Sequence, residues 1–143
     1  MKTKDSKKIS RAINQKLDKN VKRNVSRLLE KATMLIESTA KESIQQGVKS
    51  GRKYTKRGVT HTASAKGEAP ATDTGFLASN IGRYSVKTDS KGRIVATVYS
   101  SAPYSKFLEF GTRNMGERPF MLPALEKNTQ KIIRDFKKGG LLK

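Results

Sequence analysis

The sequence predicts an α+β fold: a long N-terminal helix packed on a small antiparallel sheet, with a short helix and a C-terminal helix. Three observations predict it. Residues 7–46 contain neither Pro nor Gly and carry an apolar stripe at helical spacing. Two segments with alternating apolar residues, Ile81–Thr88 and Arg93–Ser100, flank Asp89-Ser90-Lys91-Gly92, which is turn chemistry. Near the end, Leu125, Thr129, Ile132, Ile133 and Phe136 recur at i, i+4, i+7, i+8 and i+11, one face of a further helix. A chain of 143 residues supports a single domain with one modest core, so residues 1–143 are read as one unit.

Within 7–46, Leu17, Val21, Val25, Leu28, Ala32, Leu35 and Ile36 fall in one stripe about 100° wide, the width of a core-facing helix. Ile9 and Ile13 drift off that stripe at one end, and Ala40 and Ile44 at the other. The middle of the helix is therefore expected to pack on its own domain and the ends to face something else, such as a neighbouring subunit. A helix of this length overhangs so small a domain.

Residues 47–72 change character. Gly47, Gly51, Gly58, Gly67 and Pro70 interrupt a run rich in Ser, Thr and Ala. Lys49, Arg52, Lys53, Lys56, Arg57 and Lys66 all precede the first acidic residue, Glu68. This reads as a basic flexible loop, too long for an ordinary connection: an arm that orders on DNA or on a partner, the other reading being a solvated, mobile loop. Residues 73–143 follow as a hairpin plus helices. In the hairpin, Tyr84, Val86, Ile94, Ala96 and Val98 show the period-2 pattern, and Val95 and Tyr99 make the opposite face apolar enough to be covered too. Pro103 opens a short helix, Tyr104–Phe110, which Gly111 stops. A loop leads to Arg118, and the last helix starts near Pro123, with Lys137 and Lys138 in its final turn.

Charge dominates the composition: 31 Lys and Arg against 12 Asp and Glu, a net +19. Such a charge attracts polyanions without implying that a DNA sequence is read. The apolar fraction, 34%, is low for a globular domain, so either part of the chain is poorly ordered alone or some of the core is completed by a partner. With no Cys and one His, neither a disulfide scaffold nor a zinc-type ligand cluster is expected. No apolar run reaches the roughly 20 residues of a membrane helix. The charged N-terminus carries no secretory signal pattern, and no membrane partner is expected.

Catalytic chemistry finds little support. His61 is the only His, and nothing near it in sequence offers the fixed partner a catalytic His needs. Asp73 and Glu109 could form an acid/base pair, yet each has a structural role at hand. Asp73 stands just before a short helix starting near Gly75, where Asp or Thr caps a helix. Glu109 is expected to pair with Arg113 or Arg118. No Walker-type or dinucleotide-binding glycine pattern is present, so no enzyme activity and no cofactor are expected.

Two segments carry a recognisable pattern. The first is Ala69-Pro70-Ala71-Thr72-Asp73-Thr74-Gly75-Phe76-Leu77-Ala78-Ser79-Asn80-Ile81. The second runs from Tyr104 through Phe107-Leu108-Glu109-Phe110-Gly111-Thr112 to Arg118-Pro119-Phe120 and Pro123-Ala124. Together, in this order and behind a long helix, they resemble the small tail-completion, or head–tail joining (neck), proteins of long-tailed bacteriophages. The resemblance implies a non-enzymatic virion protein, assembled in the bacterial host cytoplasm. It implies several copies around the neck, beside the connector and the tail terminator. Asp73 before Thr74 and Asn80 before Ile81 are mild departures from the pattern.

Gly75 and Gly111 are expected to give backbone freedom at turns. Tyr104, Phe107, Phe110 and Phe120 supply most of the large apolar area, each worth on the order of 1.5–3 kcal/mol if buried. Tyr104, Phe107, Glu109, Gly111, Thr112, Arg118, Pro119 and Phe120 form the candidate subunit interface; the other reading is that they close the domain's own core. Lys49, Arg52, Lys53, Lys56, Arg57 and Lys66 form the candidate contact with genomic DNA or a partner. A basic nucleic-acid-binding protein using the 47–66 arm and the N-terminal lysines is the competing function, although the arm holds only Tyr54 for base stacking.

Overall fold

The computed structural model describes residues 2–142, with side chains from Gln15 to Leu142. The order is α1 (Lys2–Gln46), β1 (Lys53–Lys56), β2 (Val59–Thr62), α2 (Phe76–Ser79), β3 (Ile81–Thr88), β4 (Ile94–Ser100), α3 (Ser105–Phe110) and α4 (Met121–Lys138). It is an α+β fold with two separate two-stranded antiparallel sheets, β1–β2 and β3–β4.

Helix α1 is the spine. At 1.5 Å per residue, its 45 residues span about 67 Å. Its second half packs against α4, β3, β4 and α2. Lys31 pairs with Asp135 at 3.0 Å and Asn128 Nδ2 donates to Thr39 Oγ1 at 2.9 Å, so α4 runs antiparallel to α1. Residues 15–24 are all exposed, Leu17 at 57% and Val21 at 46%, and project past the body. An overhang is what the length of the helix predicts, but Leu17 and Val21, read as part of the core-facing stripe, are exposed, because α4 and the β3–β4 sheet meet only the second half of α1. The side chains of Ile9, Ile13 and the N-terminal lysines lie outside the described residues.

The far end of the helix corrects the sequence reading. Ala40 and Ile44 face no neighbour; both are fully buried in the core. The cause is helical geometry. Ala32, Ile36, Ala40 and Ile44 form an i+4 row, which turns about 40° around the axis every four residues. Elements crossing α1 obliquely follow that row rather than a straight stripe. The rest of the core is Leu77, Ala78, Ile81, Ala102, Phe120 and Ala124, with Ile36, Val98, Leu108 and Met121 against it. Alanines from three helices and from the loop after β4 let the backbones approach, and Phe120, 1% exposed, fills the space between them. Along α4, Thr129, Ile132, Ile133 and Phe136 are partly buried as expected, while Leu125 is exposed and Ala124 and Asn128 are buried in the first turns instead.

Residues 47–72 are also corrected: the segment contains the β1–β2 hairpin. Lys53 pairs with Thr62 and Lys56 with Val59, leaving a two-residue turn at Arg57-Gly58, both with positive φ. That is the primed turn whose twist suits a hairpin. The rest of the segment is pinned at both sides. Glu68 accepts from Ser50 Oγ at 2.5 Å, Ser50 N at 3.0 Å and Ala65 N at 2.8 Å. Lys49 Nζ donates to the carbonyls of Ser43 and Ala69.

In the β3–β4 hairpin, Asp89 organises the turn by accepting from the amides of Lys91 and Arg93. The strands pair from Ile81↔Ser100 to Thr88↔Ile94, with an irregularity between Tyr84 and Lys87. The inner face rests on α1, where Arg83 bonds Glu37 at 2.5 Å. The outer face, expected to be covered, is open: Tyr84 and Tyr99 stack at 4.4 Å, and Tyr84 and Val95 are exposed.

The Glu68 clamp has an acid-pH consequence. Its bonds to Ser50 and Ala65 pull the carboxyl from 4.5 down to about 2. Between those values the unfolded chain binds more protons, so this stabilisation is complete above pH 4.5 and is lost as pH falls towards 2. Glu37, held low chiefly by Lys41, and Asp73, held low chiefly by Lys56, act with the same sign. Thermal melts are expected to drop through this interval, and Glu68→Gln to flatten part of the drop while lowering Tm at neutral pH. A Glu68→Gln melt curve parallel to the parent's would contradict the clamp.

Candidate functional site

The two sequence motifs, some thirty residues apart, meet in space. The first supplies α2 and the turn before it; the second supplies α3, the loop 111–118 and the start of α4. Where they meet the β1–β2 hairpin lies a cleft of about 360 Å³, bordered by Tyr54, Pro70, Phe76, Leu77, Tyr104, Leu108, Met115 and Arg118.

Glu109 holds this region together, in a way the sequence reading missed. It pairs with neither Arg113 nor Arg118. Its Oε2 accepts from the backbone N–H groups of Phe120 (2.9 Å) and Met121 (3.1 Å), and its Oε1 from Leu122 (2.9 Å). A helix start leaves four N–H groups without intrahelical partners and carries a partial positive charge. Glu109 satisfies three of them from another helix, which fixes α3 against α4. Arg118 is occupied with carbonyls: Nε donates to Ser64 O at 3.1 Å and Nη1 to Gly116 O at 3.0 Å. The loop is tied further by Gly67 N to Glu117 O (2.8 Å) and Arg118 N to Leu108 O (2.6 Å). Gly111 has φ 73°, and a Cβ there would lie 2.9 Å from Glu117 N and Met115 O, so only glycine fits.

Asp73 does not cap α2. The Oγ1 atoms of Thr72 and Thr74 accept from the amides of Gly75 and Phe76 instead. Asp73 reaches back to the hairpin, pairing with Lys56 and standing 3.7 Å from His61 Nε2. His61 stacks on Tyr54 at 5.5 Å. The fixed neighbour His61 lacks in sequence is thus supplied by the fold, because β2 folds back onto the turn before α2.

The aromatic residues divide sharply. Phe120 is in the core, while Phe76, Tyr104, Phe107 and Phe110 are exposed, Phe110 at 82%. The Phe76 and Tyr104 rings lie 6.2 Å apart, and Lys106 Nζ sits 5.0 Å from the Phe107 ring centre. Of the candidate interface residues, Tyr104, Phe107 and Thr112 are therefore on the surface. Glu109, Gly111, Arg118 and Pro119 are half-buried supports, and Phe120 closes the chain's own core. Leu122 and Leu125, at the start of α4, are exposed too, and the sequence reading did not select them as surface.

The basic set divides as well. Lys49 is turned inward onto two carbonyls, and burial pushes its ammonium down. Lys56 is engaged by Asp73, and Lys66 lies 3.7 Å from Glu117. Arg52, Lys53 and Arg57 are exposed on the hairpin with no carboxylate partner among the described residues. No three His, Asp or Glu side chains among the described residues come together as metal ligands, and none of the helices described is long and apolar enough to cross a membrane.

This is the surface of a small α+β protein with four aromatic residues outside and its motif residues bracing them. The chain belongs to the family described as "Bacteriophage HK97-gp10, putative tail-component", whose model matches residues 4–111. The match runs from α1 through the end of α3 and takes in the first motif and the Tyr104–Gly111 part of the second. No curated protein and no solved structure matches the chain.

If Glu109 is the brace, Glu109→Ala leaves three amides without their acceptor and costs roughly 1.5–3 kcal/mol, the range for a hydrogen-bonded charged group. Urea unfolding is expected to show that loss as a lower midpoint. A midpoint equal to the parent's would show the three bonds to be dispensable.

Proposed function

We propose that the chain is a non-enzymatic structural protein of the virion, acting in tail completion and head–tail joining as one of several copies in the neck. Its partners in this reading are copies of itself and the neighbouring connector and tail-terminator proteins, and it is assembled in the host cytoplasm. The observation that carries the reading is the exposed aromatic surface formed where the two motifs meet. Exposing Phe76, Tyr104, Phe107 and Phe110 together is unfavourable in water unless a partner covers them. The Glu109 brace and the bonded loop hold that surface rigid, which lowers the ordering cost of docking.

The test is complementation of a phage lacking this protein. A Phe107→Ser, Phe110→Ser double variant changes exposed side chains and keeps its fold by circular dichroism. Lysates are expected to contain filled heads and separate tails, with infectious titre reduced by orders of magnitude. Wild-type titre with the folded double variant would refute this surface as the joining surface.

A second reading is favoured by Arg52, Lys53 and Arg57, exposed together on the β1–β2 hairpin: non-specific contact with genomic DNA. Removing one cation that meets a phosphate lowers the slope of log affinity against log salt by about 0.9. Replacing the three with Ser is therefore expected to reduce that slope by up to about 3 units. An unchanged slope would take the hairpin out of the DNA contact.

A further inference from the structure

The β3–β4 sheet has two strands and therefore two open edges, and the two edges are not alike. The β3 edge carries Arg83 and Lys87 and a break in register between Tyr84 and Lys87. Charges and bulges are how proteins keep an edge from pairing with another strand. The β4 edge has none of these. Ile94-Val95-Ala96-Thr97-Val98-Tyr99-Ser100 contains no charge, no Pro and no Gly, in a chain of net charge +19. Among the described residues, the strands pair only as β3–β4, and no other backbone hydrogen bond involves residues 94–100. An uncharged, regular edge of seven β-favouring residues is a template for strand addition.

We propose that this edge takes the same edge of a second copy of the chain, antiparallel, about a two-fold axis through Thr97. The strand is self-complementary in that register. Thr97 meets Thr97, Ala96 meets Val98, Val95 meets Tyr99 and Ile94 meets Ser100, all uncharged cross-strand pairs. The result is a four-stranded sheet, β3-β4-β4-β3, with both α1 helices on one face. A strand from elsewhere in the chain fits less well: β1 carries Lys53 and Lys56, and β3 carries its own charges and bulge. Antiparallel pairing also separates like charge. Lys91 and Arg93 of each copy fall at opposite ends of the seam; Arg93, four residues from the axis at about 3.4 Å each, lies roughly 27 Å from its counterpart. That is well beyond the Debye length of about 8 Å at physiological salt. This inference rests on the strand chemistry and stands independently of the neck reading.

The chain has no cysteine, which makes the test direct. Facing positions in an antiparallel pair have Cα atoms about 4.5–5.5 Å apart, within the roughly 4.4–6.8 Å a disulfide spans. Thr97 is exposed in the single chain, so its substitution leaves the fold intact. Thr97→Cys is expected to give a disulfide-linked dimer at least roughly tenfold faster than Lys91→Cys, because docking turns a bimolecular encounter into a local one. Sedimentation in about 1 M salt, where the Debye length is roughly 3 Å, is expected to show a dimer for the parent and a monomer for Thr97→Lys. Equal cross-linking of the two cysteine variants, with a parent that stays monomeric, overturns the proposal and leaves the edge to a strand of another protein. A parent dimer that Thr97→Lys does not weaken overturns it too, by placing the contact elsewhere.

Discussion

The architecture depends on one carboxylate. Glu109 stands at the end of a helix of six residues, too short to hold its own place. By accepting three amides from the first turn of α4, it makes that short helix and the long C-terminal one a single unit. The same contact delivers Phe120 into the core, because its amide is one of the three. Phe120 in turn fills the space among Ala40, Ala78, Ala102 and Ala124, which are too small to fill it themselves. Sequence places Glu109 eleven residues before Phe120; the fold makes them one joint.

From that joint the constraints spread outward. Arg118 carries the loop after α3 to Ser64, and the Glu117 carbonyl carries it to Gly67. Glu68, next to Gly67, gathers Ser50 and Ala65. Asp73 fastens the hairpin tip through Lys56. Glu109, Glu68 and Asp73, scarce acidic groups in a strongly basic chain, are thus taken up in internal ties. Left on the surface are Arg52, Lys53 and Arg57, without a carboxylate partner among the described residues, and the exposed rings of Phe76, Tyr104, Phe107 and Phe110.

The elements with strong periodicity were legible in the sequence. The long helix, the β3–β4 hairpin with its Asp-Ser-Lys-Gly turn, the short helix after Pro103 and the last helix all stand where the pattern puts them. The β1–β2 hairpin was not legible, because its turn is Arg57-Gly58 rather than an Asn-Gly or Asp-Gly pair, and Lys53 and Lys56 hide a four-residue alternation. The role of Ala40 and Ile44 was misread because a stripe drawn straight along a helix ignores elements crossing along its i+4 row. Glu109 was given to an arginine because sequence proximity suggests ion pairs, whereas a helix start is visible as an acceptor site only once α4 is placed beside α3. The candidate site was legible as a set of motif residues but not in its division. Which aromatic faces inward is decided by the joint, and no spacing within Tyr104–Phe120 distinguishes Phe120 from Phe110.

That division leaves little large apolar area inside a chain whose apolar fraction is already low. A chain with 34% hydrophobic residues and five phenylalanines would ordinarily bury most of the latter. Here Phe76, Phe107 and Phe110 are outside, and four of the eight core residues are alanine, beside Ile44, Leu77, Ile81 and Phe120. Alanine gains little from burial, since the hydrophobic contribution scales with area. The chain alone therefore has a modest hydrophobic term, supplemented by the polar ties around Glu109, Glu68 and Arg118. The apolar area that would make it more stable lies on surfaces that only another molecule can cover: the aromatic patch at the motifs, the Leu17–Val21 stretch of the projecting helix and the open face of β3–β4. A partner that bound the folded chain over those surfaces would stabilise it, to an extent set by its affinity, by mass action.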